Sequence, residues 1–468
     1  MQYKKAHFIG IGGVGMSATA KLLRDAGATI TGSDEEVYPP ISTLLEEEGI
    51  AYSTPYRASN IPADCGLIVI GKNAKLVPES NEEVAAAFAS GKKIVSFPEV
   101  LAELSKDKET VVVAGSYGKS TSTALLAHCL EVAGLEPSYF IGAVPLSPNV
   151  NAKAGSGNLF ILEGDEYPAS NTDPRSKFLH YHPAQVLLTP LAHDHFNIFP
   201  TPADYLKPFY GLAALASSKG AFIVCVDGPL SKEFLANVPR PVTTYGLTQG
   251  DFHAANIAYG EMTTFTLMGK NIDPVHLSTT QLGTHTVQNI VGVGALLLSQ
   301  QLVTPEQFAS AVKSFKGIKR RLDKKSEKTS IPIFEGFGSS YEKLQSAIAA
   351  MKLHFPGRRL LVVFEPNTIG WRARATLAQY DHVFTGVAKV FIFNPPHDGK
   401  ETQLSAEEIA AHVGAHGTPA VAVDTPEHIL ALFGTELGEN DAILLSSSGA
   451  MGGLVDSIPK LAEQKFPC

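Results

Sequence analysis

The chain has 468 residues, 44% hydrophobic and 18% charged, which is enough apolar material for several cores and too much for a disordered chain. Its 38 Lys plus Arg against 46 Asp plus Glu give a formal charge of −8, excluding a broad basic face for nucleic acid or an anionic membrane but not a local anion pocket. The four cysteines (Cys65, Cys129, Cys225, Cys468) stand far apart, so neither a disulfide framework nor a structural zinc site is expected, and no apolar run approaches the ~18 residues that cross a bilayer. These features predict a cytoplasmic protein with no signal peptide and no nucleic-acid or membrane partner, and they leave small-molecule substrates open. Monomer and homodimer both stay open.

Residues 1–108 alternate buried-strand patterns (AHFIGIG, TITGSD, LIVIG, KIVSF) with amphipathic stretches such as GMSATAKLLRDAG and SNEEVAAAFASG. Strand–helix alternation of this kind predicts a parallel sheet covered by helices. The charged stretch LSKDKET sets a boundary near residue 108. Residues 109–325 open on the strand VVVAG, a second glycine turn and a helix, and continue through NLFILEGD, AQVLLTPL and AFIVCVDG. The segment KRRLDKKSEKTS is charged and poor in apolar residues, so it reads as a linker or exposed turn. Residues 326–468 resume the alternation with PIFEGF, RRLLVVFEP, KVFIF, PAVAVD and DAILLSSSG. The expected architecture is three consecutive α/β domains: a Rossmann-like one, a central P-loop ATPase-like one and a Rossmann-like C-terminal one.

The first glycine turn, Gly10-Ile11-Gly12-Gly13-Val14-Gly15, joins a strand to a helix that opens with Met16 and Ser17, and Asp34 ends the next strand. Small residues let a diphosphate approach backbone N–H groups at a helix N-terminus, and the acidic residue can accept from ribose hydroxyls. Taken alone the motif indicates a nicotinamide dinucleotide, although another nucleotide diphosphate fits the turn equally well. The second turn, Gly115-Ser116-Tyr117-Gly118-Lys119-Ser120-Thr121, is a shortened Walker A motif in which Val113 stands where the strict pattern has glycine. Its N–H groups can wrap a triphosphate, Lys119 can neutralise the terminal phosphates, and the Ser120 hydroxyl can face Mg²⁺. Glu163 and His195, each following an apolar run, are candidate ligands for the same Mg²⁺.

In this order the motifs resemble the Mur ligase family, the ATP-dependent amide-forming enzymes of peptidoglycan synthesis. Further segments resemble the family's tripeptide-recycling branch. These are Val37-Tyr38-Pro39-Pro40, residues 141–145, residues 173–181, Phe364-Glu365-Pro366 and the glycine-rich residues 446–453. The resemblance implies that Gly10, Gly12, Gly13, Gly15, Met16, Ser17 and Asp34 serve a UDP-sugar and that residues 115–121 hold ATP. It also implies that Ser120, Glu163 and His195 attend Mg²⁺, that His285 and Asn289 lie on the adenine side, and that Arg321 closes on ATP. Arg175, Lys177, Asn367, Arg372 and Ser448 are the candidates for holding an amine or peptide. The implied reaction joins UDP-N-acetylmuramate to L-alanyl-γ-D-glutamyl-meso-diaminopimelate through an acyl phosphate, with L-alanine alone as the alternative amine.

The chain departs from the family pattern at Ser116, Tyr117, Pro168 and Ala192, and most at Glu335-Gly336-Phe337-Gly338-Ser339-Ser340-Tyr341, where a second acid and two histidines are replaced. Those departures imply either an altered amine or ATP geometry, or a nucleotide-binding protein without ligase activity.

Overall fold

The computed structural model describes residues 4–38, 41–394 and 403–468. Pro39 and Pro40, part of one resemblance segment, lie outside the described residues. Three sheets are present. The first comprises β1 (Lys5–Ile9), β2 (Thr29–Ser33), β3 (Ala51–Ser53), β4 (Leu67–Ile70) and β5 (Lys93–Val95). The second comprises β6 (Glu109–Ala114), β7 (Ser138–Phe140), β8 (Ala152–Lys153), β9 (Leu159–Glu163), β10 (Gln185–Leu188), β11 (Phe222–Cys225), β12 (Thr243–Tyr245), β13 (Phe252–Ala258), β14 (Thr263–Gly269) and β15 (Val275–Thr279). The third holds β16 (Arg321–Lys324), β17 (Ile333–Gly336), β18 (Arg359–Phe364), β19 (Lys389–Phe393), β20 (Ala420–Val423) and β21 (Asp441–Ser446).

By internal contacts the chain forms two compact units. Residues 1–255, 266–277 and 287–315 make the first; residues 256–265, 278–286 and 316–468 make the second.

In the first unit, strand order β3-β2-β1-β4-β5 places the reversal of direction between β1 and β4, and every pairing is parallel. Ligands of open α/β sheets gather beyond the strand C-termini at such a reversal, and the first glycine turn follows β1 there. The second sheet runs β15-β14-β13-β12-β11-β10-β6-β9-β7-β8, with β6, the strand entering the second glycine turn, between β10 and β9. The β7–β8 pair is antiparallel, so the sheet is mixed rather than all-parallel. Ala18 and Leu22 of the helix Val14–Asp25 share one apolar core with Phe140, Leu162 and Leu188 of the second sheet. That shared core holds the helix of the first glycine turn against the second sheet.

In the second unit, β17, β21, β18, β19 and β20 are parallel neighbours, covered on both faces. Leu344, Ile348 and Ile409 pack one face; Ile429, Phe433, Leu454 and Ile458 pack the other. The charged segment expected as a linker is instead partly a strand. Arg321–Lys324 pairs antiparallel with β17, burying Leu322 and Asp323. Its polar composition hid it, because an edge strand beside buried charges does not show the apolar run of a central strand. Trp371, the chain's single tryptophan, is core: it is buried and donates from Nε1 to the Gly338 carbonyl at 2.9 Å. All four cysteines are free thiols, and among the described residues no helix is long and apolar enough to cross a membrane.

Candidate active site

At the first glycine turn, Gly13 precedes the helix Val14–Asp25 with no side-chain cap, leaving the helix N-terminus bare of protein acceptors from that residue. Gly13 is exposed, while Met16 and Ser17 are buried, and the Ser17 hydroxyl donates back to the Gly13 carbonyl at 3.1 Å. Gly10 has φ of +89°, and a Cβ there would lie 2.8 Å from Leu76, so the tight turn needs glycine. Asp34 contacts the turn itself. Its Oδ2 accepts from the Gly12 N–H at 2.7 Å and its Oδ1 from the Tyr56 hydroxyl at 2.7 Å, so the carboxylate braces the turn.

The second turn sits between β6 and the helix Lys119–Val132, whose N-cap is Gly118 at φ of +85°. A Cβ on Gly118 would stand 2.4 Å from the Asn289 amide oxygen, so Asn289, buried near the start of the helix Thr284–Ser299, packs directly on the turn. His285 is exposed one helical turn earlier. Ser116 is consumed internally. Its hydroxyl donates to the Ala192 carbonyl at 2.7 Å and accepts from the Ala192 N–H at 2.8 Å, and its own N–H goes to Pro190. Tyr117 is half exposed at the turn's tip.

The ionic groups form two sets. Ser120 donates to Glu163 Oε1 at 2.8 Å, and Glu163 Oε2 accepts from the Gly142 N–H at 2.7 Å. Lys119 Nζ donates to the Gly115 carbonyl at 2.6 Å and to Glu166 at 2.9 and 3.2 Å; Glu166 is also 3.1 Å from His195 Nε2. Burial alone would lower the Lys119 pKa, but Glu166 and Asp165 outweigh it and hold the ammonium above its ordinary range. The hydrogen bond to Glu166 raises His195 in the same way. His195 sits at φ of +56°, a left-handed conformation costly for a non-glycine residue, and Tyr167 packs edge-on against its ring at 4.3 Å. The three residues expected around one metal are therefore divided: Ser120 with Glu163, His195 with Glu166. Glu166, 1% exposed, is the link the sequence reading left without a role. It lies past the end of β9, where no periodicity marks which acid points inward.

A cleft of about 270 Å³ is lined by Gly13 and Gly15 of the first turn, by Glu163 and Asp165, and by Lys72 and Lys177. Lys177 pairs with Asp165 at 2.5 Å; burial would raise the Asp165 pKa, but Lys177 holds it below the ordinary carboxylate range. Lys72 was not singled out from the sequence, though it stands two residues past the end of β4 at the sheet's reversal point. Burial first, and then Lys177, depress its pKa. Arg175 does not join the cleft's lining: it is exposed and pairs with Asp173 at 2.6 Å.

In the second unit, the Glu335 carboxylate is buried and contacted by Lys325 at 2.9 Å and Arg320 at 3.1 Å. Lys325 also reaches the buried Asp323 at 3.2 Å. Arg320 donates to the carbonyls of Ser447 and Gly449 at 3.0 and 2.5 Å, while Arg321 is exposed on β16. Ser447 bonds Glu365, and a Cβ on Gly449 would meet the Asn367 amide at 2.0 Å, so Asn367 lies against the glycine-rich turn that holds Ser448. Arg372 is half-buried in the helix Ile369–Arg372.

Two family models match the chain: Mur ligase family, catalytic domain, over residues 5–109, and Mur ligase middle domain over residues 113–297. A UDP-N-acetylmuramate–L-alanine ligase of Hydrogenobaculum sp. (strain Y04AAS1) is 30% identical over 400 residues, 84% of this chain and 85% of its own. The crystal structure of a UDP-N-acetylmuramate-alanine ligase from Thermotoga maritima matches with a TM-score of 0.78 at 20% identity, covering 98% of this chain and 99% of that one. That of the UDP-N-acetylmuramate:L-alanyl-gamma-D-glutamyl-meso-diaminopimelate ligase from Neisseria meningitides matches with a TM-score of 0.61 at 29% identity, covering 68% and 99%.

Proposed function

The chain belongs to the Mur ligase family, the ATP-dependent ligases that form amide bonds, and on that premise we propose that it joins the lactoyl carboxylate of UDP-N-acetylmuramate to the amine of L-alanine. The observation that carries this reading is the single cleft lined both by the first glycine turn and by Glu163, itself bonded to Ser120 of the ATP turn. A UDP diphosphate on residues 10–15 would place its sugar in that cleft, with Lys72 and Lys177 as counter-ions for the carboxylate.

In the proposed reaction the substrate carboxylate oxygen attacks the γ-phosphorus of ATP, the bond to the bridging oxygen breaks and ADP leaves. The amine nitrogen then attacks the acyl phosphate, losing a proton as the amide forms and phosphate departs. Lys119 neutralises charge on the transferring phosphoryl group, and the helix N-terminus behind it favours the same charge. The residues present fit Mg²⁺, a hard cation that prefers oxygen: the Ser120 hydroxyl and the carboxylates of Glu163 and Glu166 lie around the turn, with His195 beside Glu166. That ion would offset phosphate charge when bound. We assign Asn289 and His285 to the nucleotide's base side, Arg321 to ATP, and Asn367, Arg372 and Ser448 to holding the amine.

Alanine is preferred as the amine on two grounds. The alanine-adding relative aligns over most of both chains. In addition, Arg175, in the segment that resembled the tripeptide branch, is paired with Asp173 and lies outside the cleft's lining. The tripeptide reading keeps the support of the Neisseria meningitides ligase. The acid absent at Gly336 has a neighbour in Asp323, whose carboxylate shares Lys325 with Glu335, so an acidic pair persists there and supports retained activity. Incubation with ATP, Mg²⁺, UDP-N-acetylmuramate and labelled L-alanine tests the reading. A labelled UDP-linked product is expected, and its absence with folded, ATP-binding protein would refute it.

A further inference from the structure

Away from the nucleotide turns, in the second unit, a short helical segment and a longer helix bring three metal-ligating side chains together. Asp381 follows the 3₁₀ segment Arg374–Tyr380; His412 lies in the last turn of the helix Ala406–Ala415 and His416 just beyond it. His412 Nε2 is 2.7 Å and His416 Nε2 3.6 Å from Asp381 Oδ1. The three ligand atoms lie within 4.8 Å of one another, and among the described residues this is the one such group of histidine, cysteine, aspartate or glutamate that could hold a metal ion.

The four-residue spacing puts both imidazoles on one helix face, and their rings lie 4.3 Å apart. His416 Nδ1 is 2.8 Å from the His412 carbonyl oxygen. An N–H at Nδ1 donating there leaves the Nε2 lone pair directed at the cluster, the backbone contact that commonly sets the tautomer of a metal-bound histidine. The helix C-terminus adds partial negative charge where a cation would sit. Asp381, His412 and His416 are each between 22% and 35% exposed as side chains, so water has access to the remaining coordination positions.

We propose that Asp381, His412 and His416 form a binding site for a d-block divalent cation of the zinc type, separate from the magnesium that serves ATP. Two imidazoles and one carboxylate are the donor set that zinc and its neighbours take with an open position, whereas magnesium prefers an all-oxygen shell. The ion joins the segment ending at Tyr380 to the helix Ala406–Ala415, replacing the histidine–aspartate hydrogen bond with two nitrogen ligands and one oxygen ligand. Nothing in the proposed ligase chemistry uses these residues.

The test is calorimetric titration of the full, tag-free chain with zinc chloride after chelator treatment. It compares the parent, His195→Ala, the double variant His412→Ala/His416→Ala, and Asp381→Asn. The expected result is one zinc ion per chain, retained in His195→Ala. Affinity should be weakened ~tenfold or more in Asp381→Asn and in the double variant, at least the loss that follows removal of an outer-shell partner. Circular dichroism of each variant without metal confirms that the fold persists, and substitution by cobalt(II), read from its visible bands, reports the coordination geometry and ligand field of the site. No uptake by the parent, uptake abolished only by His195→Ala, or undiminished affinity in the double variant would each overturn the proposal.

Discussion

Replacing Glu166 by Gln isolates the contact between the second glycine turn and the acid that faces Lys119. The carboxylate is 1% exposed and lies 2.9 Å from Lys119 Nζ. At an effective dielectric of about 20, that pair attracts with ~6 kcal/mol before desolvation is subtracted. Removing one partner from a buried pair usually costs ~3–5 kcal/mol. Glu166→Gln belongs at the low end, near ~3 kcal/mol, because the amide oxygen still accepts and Lys119 keeps its bond to the Gly115 carbonyl at 2.6 Å. Under the proposed function ATP brings negative charge to the same ammonium, so the deficit should shrink when nucleotide is present. Urea unfolding followed by far-ultraviolet circular dichroism, without and with ATP, measures both values. Parent-like stability without ATP, or an equal loss in both conditions, would refute the assignment of Glu166 as the resting partner of Lys119.

Other consequences follow from the same site and its surroundings. Gly118→Ala should weaken ATP binding ~10-fold or more and lower stability by ~1–3 kcal/mol, because φ of +85° is strained for alanine and its Cβ would meet Asn289 at 2.4 Å; fluorescent-nucleotide titration checks this, and parent-like binding would contradict it. His195 has a folded-state pKa raised by Glu166, so its stabilising contribution is complete below about pH 6.5 and disappears as pH rises through the raised value. His195→Asn should therefore destabilise the protein more at mildly acidic than at alkaline pH, and a pH-independent difference would count against the pair. Asp173 is held at about 2 by Arg175, so its contribution is present above about pH 3.8 and is lost as pH falls through about 2. That contribution is ~0–1 kcal/mol, since the arginine is exposed. An NMR titration of Arg175→Ala should find the carboxyl back in the ordinary range.

The central and parallel strands were legible because each is a short apolar run closed by Gly, Ser, Asp or Pro, as in Leu67–Ile70 and Gln185–Leu188. Both glycine turns were legible because their spacing carries the backbone geometry that phosphate binding requires. β13 was missed because only Phe252 and Ala254 of its seven residues are buried, so FHAANIA shows no apolar run. β16 was missed because its buried members include Asp323, an acid that only a tertiary partner such as Lys325 makes tolerable. At the site, the sequence shows acids at 163, 165 and 166 without showing that the first meets Ser120, the second Lys177 and the third Lys119. Those pairings depend on how the turn after β9 lies against two other elements. Asp34 shows the same limit: its place at a strand end suggests a ribose, and only the fold brings it to the Gly12 N–H.

The measurement that bears most directly on the account is ADP release from Mg²⁺, ATP and UDP-N-acetylmuramate with no amine, with L-alanine, or with L-alanyl-γ-D-glutamyl-meso-diaminopimelate. The account predicts sustained release only when L-alanine is present, abolished ~10³-fold by Lys119→Ala through loss of phosphate-charge neutralisation. Release that requires the tripeptide, or none in any arm from folded protein that binds ATP, would contradict it.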